Sequence, residues 1–304
     1  HGANHVRYRI DGILYDLLSP PKWIQPALIS RIKVMAKLNI AEKRLPQDGR
    51  FEVKIGDQDI AVRVSTIPTA FGERLVLRLL NKSGALLELP DLGLSPGRLK
   101  LLKRLVSSPN GIILNTGPTG SGKTTTLYAI LSSINEPNIN LITIEDPIEF
   151  LHPNKRSIIN QREVGVDTKS YDRALKSAMR EAPDVILVGE IRDRDTANIA
   201  VQAALTGHLV LSTLHTNDSP GAVTRLIDMG VEPYLVASSV TGVLAQRLVR
   251  RVCPECAEPD LPAQDELGFY GLDGTDGLRR GAGCPACQGT GYHGRTAIGE
   301  LLHV

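Results

Sequence analysis

Residues 112–125 read IILNTGPTGSGKTT, and this stretch decides the fold. An apolar run, Ile112 to Thr116, leads into Gly117-Pro118-Thr119-Gly120-Ser121-Gly122-Lys123-Thr124, the spacing Gly-x4-Gly-Lys-[Ser/Thr], and Thr125 carries on into an apolar helical segment ending near Ile134. A strand feeding a helix through glycines is the setting that phosphate binding demands. The glycines let backbone N–H groups turn inward around phosphate oxygens, and the helix N-terminus adds partial positive charge. In such a loop Lys123 reaches the outer phosphates and the Thr124 hydroxyl binds Mg2+.

Outward from the loop, strands alternate with helices. Strands are expected at Ile112–Thr116, Leu141–Glu145, Val185–Glu190 and Leu209–Leu214, and helices at Lys123–Ile134, Tyr171–Ala182 and Thr196–Leu205. Such alternation specifies an α/β fold with a mostly parallel sheet covered by helices. A further apolar helical region is expected over Pro233–Leu248, followed by a Gly-, Pro- and Cys-rich tail. Upstream, 22–43 reads as a helix, and Phe51–Ile55, Asp59–Ser65 and Arg74–Leu80 read as short strands, the first two joined by a Gly56-Asp57 hairpin turn. The expected domains are a small α+β unit at 1–80, a linker at 81–97 and a phosphate-binding α/β domain at 98–304, with a cysteine subdomain at 250–290.

The chain has 304 residues, 35 Lys plus Arg against 33 Asp plus Glu, and 42% apolar residues. This composition is that of an ordinary folded protein, without the bulk charge that would advertise a polyanion partner. The longest uncharged stretch, Thr196–Asn217, carries ten polar side chains, which excludes it as a membrane span. Charges at Arg7, Arg9, Asp11 and Asp16 argue against a signal peptide, so a cytoplasmic location is expected.

Hydrolysis needs a carboxylate for the metal and a group to orient water, both usually at strand ends. Glu145 and Glu190 occupy such ends. His208 and His215 flank the strand 209–214 at a separation that aims them to opposite faces, so one of them is expected to sense the γ-phosphate and joint metal ligation is not. Cys253, Cys256, Cys284 and Cys287 form two Cys-x2-Cys pairs with nothing left over, a set that suits closed, structural Zn2+ coordination.

Taken together, GPTGSGKTTT at 117–126, ITIEDPIE at 142–149, REAPDVILVGEIRD at 180–193, TGHLVLSTLHTN at 206–217 and the four cysteines resemble the motif set of the ATPases that drive type II secretion and type IV pilus assembly. The resemblance covers nearly the whole chain. It implies a RecA-like ATPase domain behind a small PAS-like domain, a homo-hexameric ring, ATP as substrate, and docking on inner-membrane platform proteins from the cytoplasmic side. It further implies Glu145 as water-activating base, Glu190 as Mg2+ ligand directly or through water, His208 and His215 as the histidine box, and Arg63, Arg78 and Arg295 as arginines that approach the phosphates. Glu181-Ala182-Pro183-Asp184 departs from the family's usual Gln-Asp-Pro-Asp. Family members usually carry another N-terminal domain and continue beyond the position of Val304, which implies that this chain is a portion of a longer protein. A RecA-like nucleic-acid translocase is the rival reading; the small net charge, the 12 aromatic residues and the absence of a long basic stripe argue against it, and no nucleic-acid partner is expected.

Overall fold

The computed structural model describes residues 5–81, 86–152, 157–261, 264–269, 271 and 277–304. Its strands are β1 (Val6–Ile10), β2 (Ile13–Leu18), β3 (Gln47–Ile55), β4 (Gln58–Thr69), β5 (Gly72–Asn81), β6 (Gly111–Thr116), β7 (Leu141–Glu145), β8 (Ile159–Glu163), β9 (Val185–Val188), β10 (Leu209–Leu214), β11 (Val240–Val252), β12 (Ala257–Pro259), β13 (Arg279–Gly281) and β14 (Tyr292–His303). Its α-helices are α1 (Gln25–Met35), α2 (Pro96–Val106), α3 (Lys123–Ser133), α4 (Tyr171–Ala178), α5 (Arg194–Leu205), α6 (Ser219–Asp228), α7 (Pro233–Ser239) and α8 (Gln264–Phe269).

A seven-stranded sheet in the order β14-β11-β6-β10-β9-β7-β8 forms the centre. Its strands pair in parallel except β14, which runs antiparallel to β11. Strands β6, β7, β9 and β10 are buried along their whole length, as expected for strands covered on both faces. One face packs against α4, α5 and α7 through Ala174, Leu175, Ala197, Ala200, Val201 and Val236. The other packs against α2 and α3 through Leu102, Leu105, Leu127, Ile130 and Leu131. Leu89 and Leu92, in a short 3-10 turn ahead of α2, are buried in this second layer; of the expected linker, 82–85 lie outside the described residues.

Ahead of it stands a three-stranded antiparallel meander, β3-β4-β5, with α1 on one face over Val62 and Val64. The Gly56-Asp57 turn is as expected, since Ile55 pairs with Gln58. Lys33 of α1 is buried, ion-pairs with Glu73 and donates to the Glu42 carbonyl at 2.7 Å. A separate hairpin, β1-β2, turns at Asp11-Gly12, both with positive φ.

Two elements differ most from expectation. The first helix stops at Met35 rather than 43: Lys37 adopts φ +57°, Leu38 N–H closes onto the Lys33 carbonyl at 2.8 Å, and Gln47 fastens the chain beyond by bonds to Asn39. The region Pro233–Leu248 is helical only to Ser239. From Val240 it is a strand, lying between β6 and β14, so its apolar residues on both faces mimic a helical pattern.

Candidate functional site

The loop Gly117–Gly122 leaves the end of β6 and opens α3, where the first amides have no intrahelical acceptor. Gly117 (φ +144°) and Gly122 (φ +87°) are required: a Cβ at Gly117 would lie 2.4 Å from the Gln246 carbonyl oxygen, and one at Gly122 2.8 Å from Gln246 Nε2. Gln246, buried on β11, braces the loop from behind. It donates to the Ser121 carbonyl at 2.7 Å and accepts from the Thr126 hydroxyl at 2.8 Å. Lys123 Nζ curls over the loop and donates to the carbonyls of Gly117 at 2.7 Å and Pro118 at 3.1 Å. Burial lowers its pKa, and the charge of Glu190 opposes that shift.

Glu190 stands beyond the end of β9. It pairs with Arg192 and lies 3.7 Å from His215 Nε2, while Arg192 also reaches Asp146 at 3.9 Å. Burial, and then the Lys123 charge, lower the His215 pKa against the opposing pull of Glu190, which favours the neutral ring. Lys123, Glu190, Arg192 and His215 therefore gather past the C-terminal ends of the central strands β6, β9 and β10. His208 is not among them. It sits at the opposite end of β10, where its Nδ1 bonds the Ala203 carbonyl at 2.8 Å, so of the two histidines only His215 stands beside Glu190 and Lys123.

Glu145, the expected base, is held inside the protein. It is 4% exposed, and its carboxylate accepts from the hydroxyls of Tyr128 and Thr143 and from Gln161 Nε2. Three protein donors already share its two oxygens. Four residues on, the Glu149 backbone N–H donates to the Tyr128 hydroxyl at 3.2 Å, and Arg78 and Thr124 stand near enough to act on its carboxylate. Burial raises the Glu149 pKa, with Arg78 and Thr124 pulling it back. Glu149 lies inside the 142–149 motif and was open to recognition there; strand-end position pointed to Glu145 instead.

Arg63 and Arg78 lie directly opposite each other on β4 and β5. Arg295 is not brought to them: its Nε pairs with Asp11 Oδ1 at 3.0 Å, and Asp11 also accepts from Gly294 N–H at 3.2 Å. The four cysteine Sγ atoms lie within 4.8 Å of one another, with Cys253–Cys284 at 3.9 Å, Cys256–Cys287 at 3.8 Å and Cys284–Cys287 at 3.7 Å. A tetrahedron with Zn–S bonds of about 2.3 Å has edges of about 3.8 Å, so the set fits zinc. Backbone N–H groups of Cys284 and Gly291 point at Cys287 Sγ and bring that thiol down to about 6, despite burial.

The family described as type II/IV secretion system protein matches residues 1–304. The chain belongs to this family. It is 52% identical over 300 residues to the type II secretion system protein E of Pseudomonas aeruginosa, covering 98% of this chain and 59% of that protein. The type II secretion system ATPase E of Vibrio cholerae is 51% identical over 302 residues, again 98% of this chain and 59% of the relative. A solved structure of the pilus retraction motor PilT with bound ADP superposes with a TM-score of 0.67 at 31% identity, over 99% of this chain and 79% of that one. The chain thus spans about three fifths of the curated relatives' length. Among the described residues, no helix is long and apolar enough to cross a membrane.

Proposed function

We propose that this chain is the ATP-hydrolysing part of a secretion or pilus-assembly motor, with a RecA-like body and a small PAS-like domain, working as a homo-hexamer. In this reading it docks peripherally on inner-membrane platform proteins from the cytoplasmic side and converts hydrolysis into assembly of a pilus-like fibre and protein export. The observation that carries it is the joint placement of Lys123, Thr124, Glu149 and Glu190 around the glycine loop past the C-terminal ends of the central strands, in a chain 51% identical to a protein named as a secretion ATPase.

The loop from Gly117 to Thr125 holds the phosphates of ATP through its amides, and Lys123 neutralises them. Oxygen donors from Thr124 and Glu190 would hold Mg2+, which when bound offsets charge on the outer phosphates. Glu149, not Glu145, orients and deprotonates the attacking water. Its burial-raised pKa brings it nearer the working pH, which suits a base. Arg63 and Arg78 face the phosphates from the small domain, where a cation stabilises charge that grows in the transition state. Arg295 reaches them only if its bond to Asp11 is exchanged, which couples that role to the β1-β2 hairpin. Zinc held by the four cysteines orders the end of the β11–β14 ribbon and takes no part in hydrolysis.

Steady phosphate release that disappears in Lys123→Ala together with nucleotide binding, and in Glu149→Gln without loss of binding, is the expected pattern. DNA-stimulated, salt-sensitive turnover would instead favour a nucleic-acid translocase.

A further inference from the structure

Arg50, on β3, belongs to a row that neither motif nor spacing singled out. In the register of the meander, Arg50 lies opposite Arg63, and Arg63 opposite Arg78. Like charges directly opposite each other on neighbouring strands repel, so such a row persists only where acids face it. Two do so from the sheet body. Arg78 acts on Glu149, and Arg50 Nη1 donates to Glu163 Oε1 at 2.5 Å.

Glu163 is more than a surface counter-ion. It ends β8 directly opposite Glu145, its side chain is 14% exposed against 61% for Arg50, and its second oxygen, Oε2, accepts the Ile148 N–H at 3.3 Å. Ile148 precedes Glu149. One carboxylate therefore joins the small domain, through Arg50, to the backbone of the loop that carries Glu149. The Glu163 N–H in turn donates to Asp167 Oδ2 at 2.8 Å, and its carbonyl accepts from Asp167 N–H at 2.8 Å, so the strand end holding Glu163 is itself fixed.

We infer that Arg50 is a positioning residue for hydrolysis: by holding Glu163 it fixes the Ile148–Glu149 backbone, so that the small domain sets the aim of Glu149 without Arg50 touching the nucleotide. This rests on the proposed role of Glu149. An exposed arginine that only stabilised the fold would change little on removal, because surface ion pairs contribute at most about 1 kcal/mol. A pair that aims a base acts on kcat and leaves ground-state binding alone.

The test uses the whole chain. In Arg50→Ala, kcat for ATP should fall about five-fold, equivalent to about 1 kcal/mol, with the dissociation constant of a fluorescent ATP analogue unchanged. Arg50→Lys should recover part of the loss. In a Glu163→Gln background, Arg50→Ala should add almost nothing. Hydrogen exchange at the Ile148 amide, which needs no turnover, should speed up in Arg50→Ala while the amides of β6 and β10 keep parental rates. Weakened analogue binding, or an Arg50→Ala loss that persists undiminished in Glu163→Gln, would mean that Arg50 meets the nucleotide itself and would overturn the inference. Parental kcat and Ile148 exchange in Arg50→Ala would overturn it as well. A parent chain that binds and hydrolyses no ATP would sink the proposed function instead, with the exchange experiment still deciding whether Arg50 holds the loop.

Discussion

The Tyr128 hydroxyl accepts the Glu149 backbone N–H at 3.2 Å, which ties α3 to the loop that follows β7. Glu145, at the end of that same strand, is occupied by Tyr128, Thr143 and Gln161. The two glutamates stand four residues apart and have different partners.

Their substitutions should separate accordingly. Glu149→Gln should lower kcat by about 10²-fold or more with nucleotide affinity retained, the loss typical of a general base. Glu145→Gln presents an NH2 group to hydroxyls that now donate, so it should cost about 1–3 kcal/mol of stability. Thermal unfolding and single-turnover phosphate release on both variants check this. A folded Glu145→Gln with catalysis as depressed as in Glu149→Gln would return the base to Glu145.

The acid limb of stability should depend on His152. Its ring is 8% exposed, packs edge-on against Tyr128 and Phe150, and its Nε2 has no hydrogen-bond partner among the described residues. Burial lowers its pKa to about 4. The folded state thus keeps the ring neutral while the unfolded chain protonates near 6.5, so stability is full above about pH 6.5 and falls as pH drops toward 4. At pH 5 the loss is on the order of 1 kcal/mol after allowance for solvent screening. His152→Phe keeps the aromatic packing and should flatten this limb in denaturant titrations at pH 5 and 7. Equal pH sensitivity in parent and variant contradicts the assignment.

Metal removal should loosen one end of the molecule only. The segment from Cys253 to Cys287 holds Pro254, Pro259 and many glycines and few large apolar side chains, so in the proposed reading metal ligation would supply much of the free energy that holds the cysteine cluster together. Replacing Cys253 and Cys256 by Ser should release one zinc per chain by elemental analysis and speed proteolysis there, with ATP binding intact. Arg295 lies eight residues beyond Cys287, so turnover should fall moderately. Full zinc content in the double variant, or loss of ATP binding, would defeat this account.

Asp11 anchors the β1-β2 hairpin to the ribbon through Arg295 and the Gly294 amide. Asp11→Ala should free the hairpin, seen as faster exchange of the β1-β2 amides with those of β6 and β10 unchanged. Retained protection of the hairpin would show that its hold lies elsewhere.

Much of this was legible in residue order, for physical reasons that vary along the chain. Leu141–Glu145 and Leu209–Leu214 came out end to end because strands buried on both faces are dominated by apolar residues, LITIE and LVLSTL, and these are short and flanked by polar residues. The same burial hid β11, where Val240, Val243, Leu244 and Leu248 fit helical spacing equally well. β8 reads INQRE, too polar to announce a strand, since it lies at the edge of the sheet. The β1-β2 hairpin had a signal, Asp11-Gly12, that was passed over. At the site, the loop and the cysteines declared themselves by spacing. How Glu145 and Glu149 differ in partners depends on Tyr128, Thr143 and Gln161, and pattern alone carries no record of who satisfies whom.

Phosphate release at saturating Mg-ATP tests the central claim most directly, with the parent chain, Lys123→Ala and Glu190→Gln compared at protein concentrations that span assembly. Steady release by the parent that rises per subunit as the ring forms is the predicted result, with ATP binding and turnover both lost in Lys123→Ala, and turnover alone lost in Glu190→Gln. Release by Lys123→Ala equal to that of the parent would contradict the account.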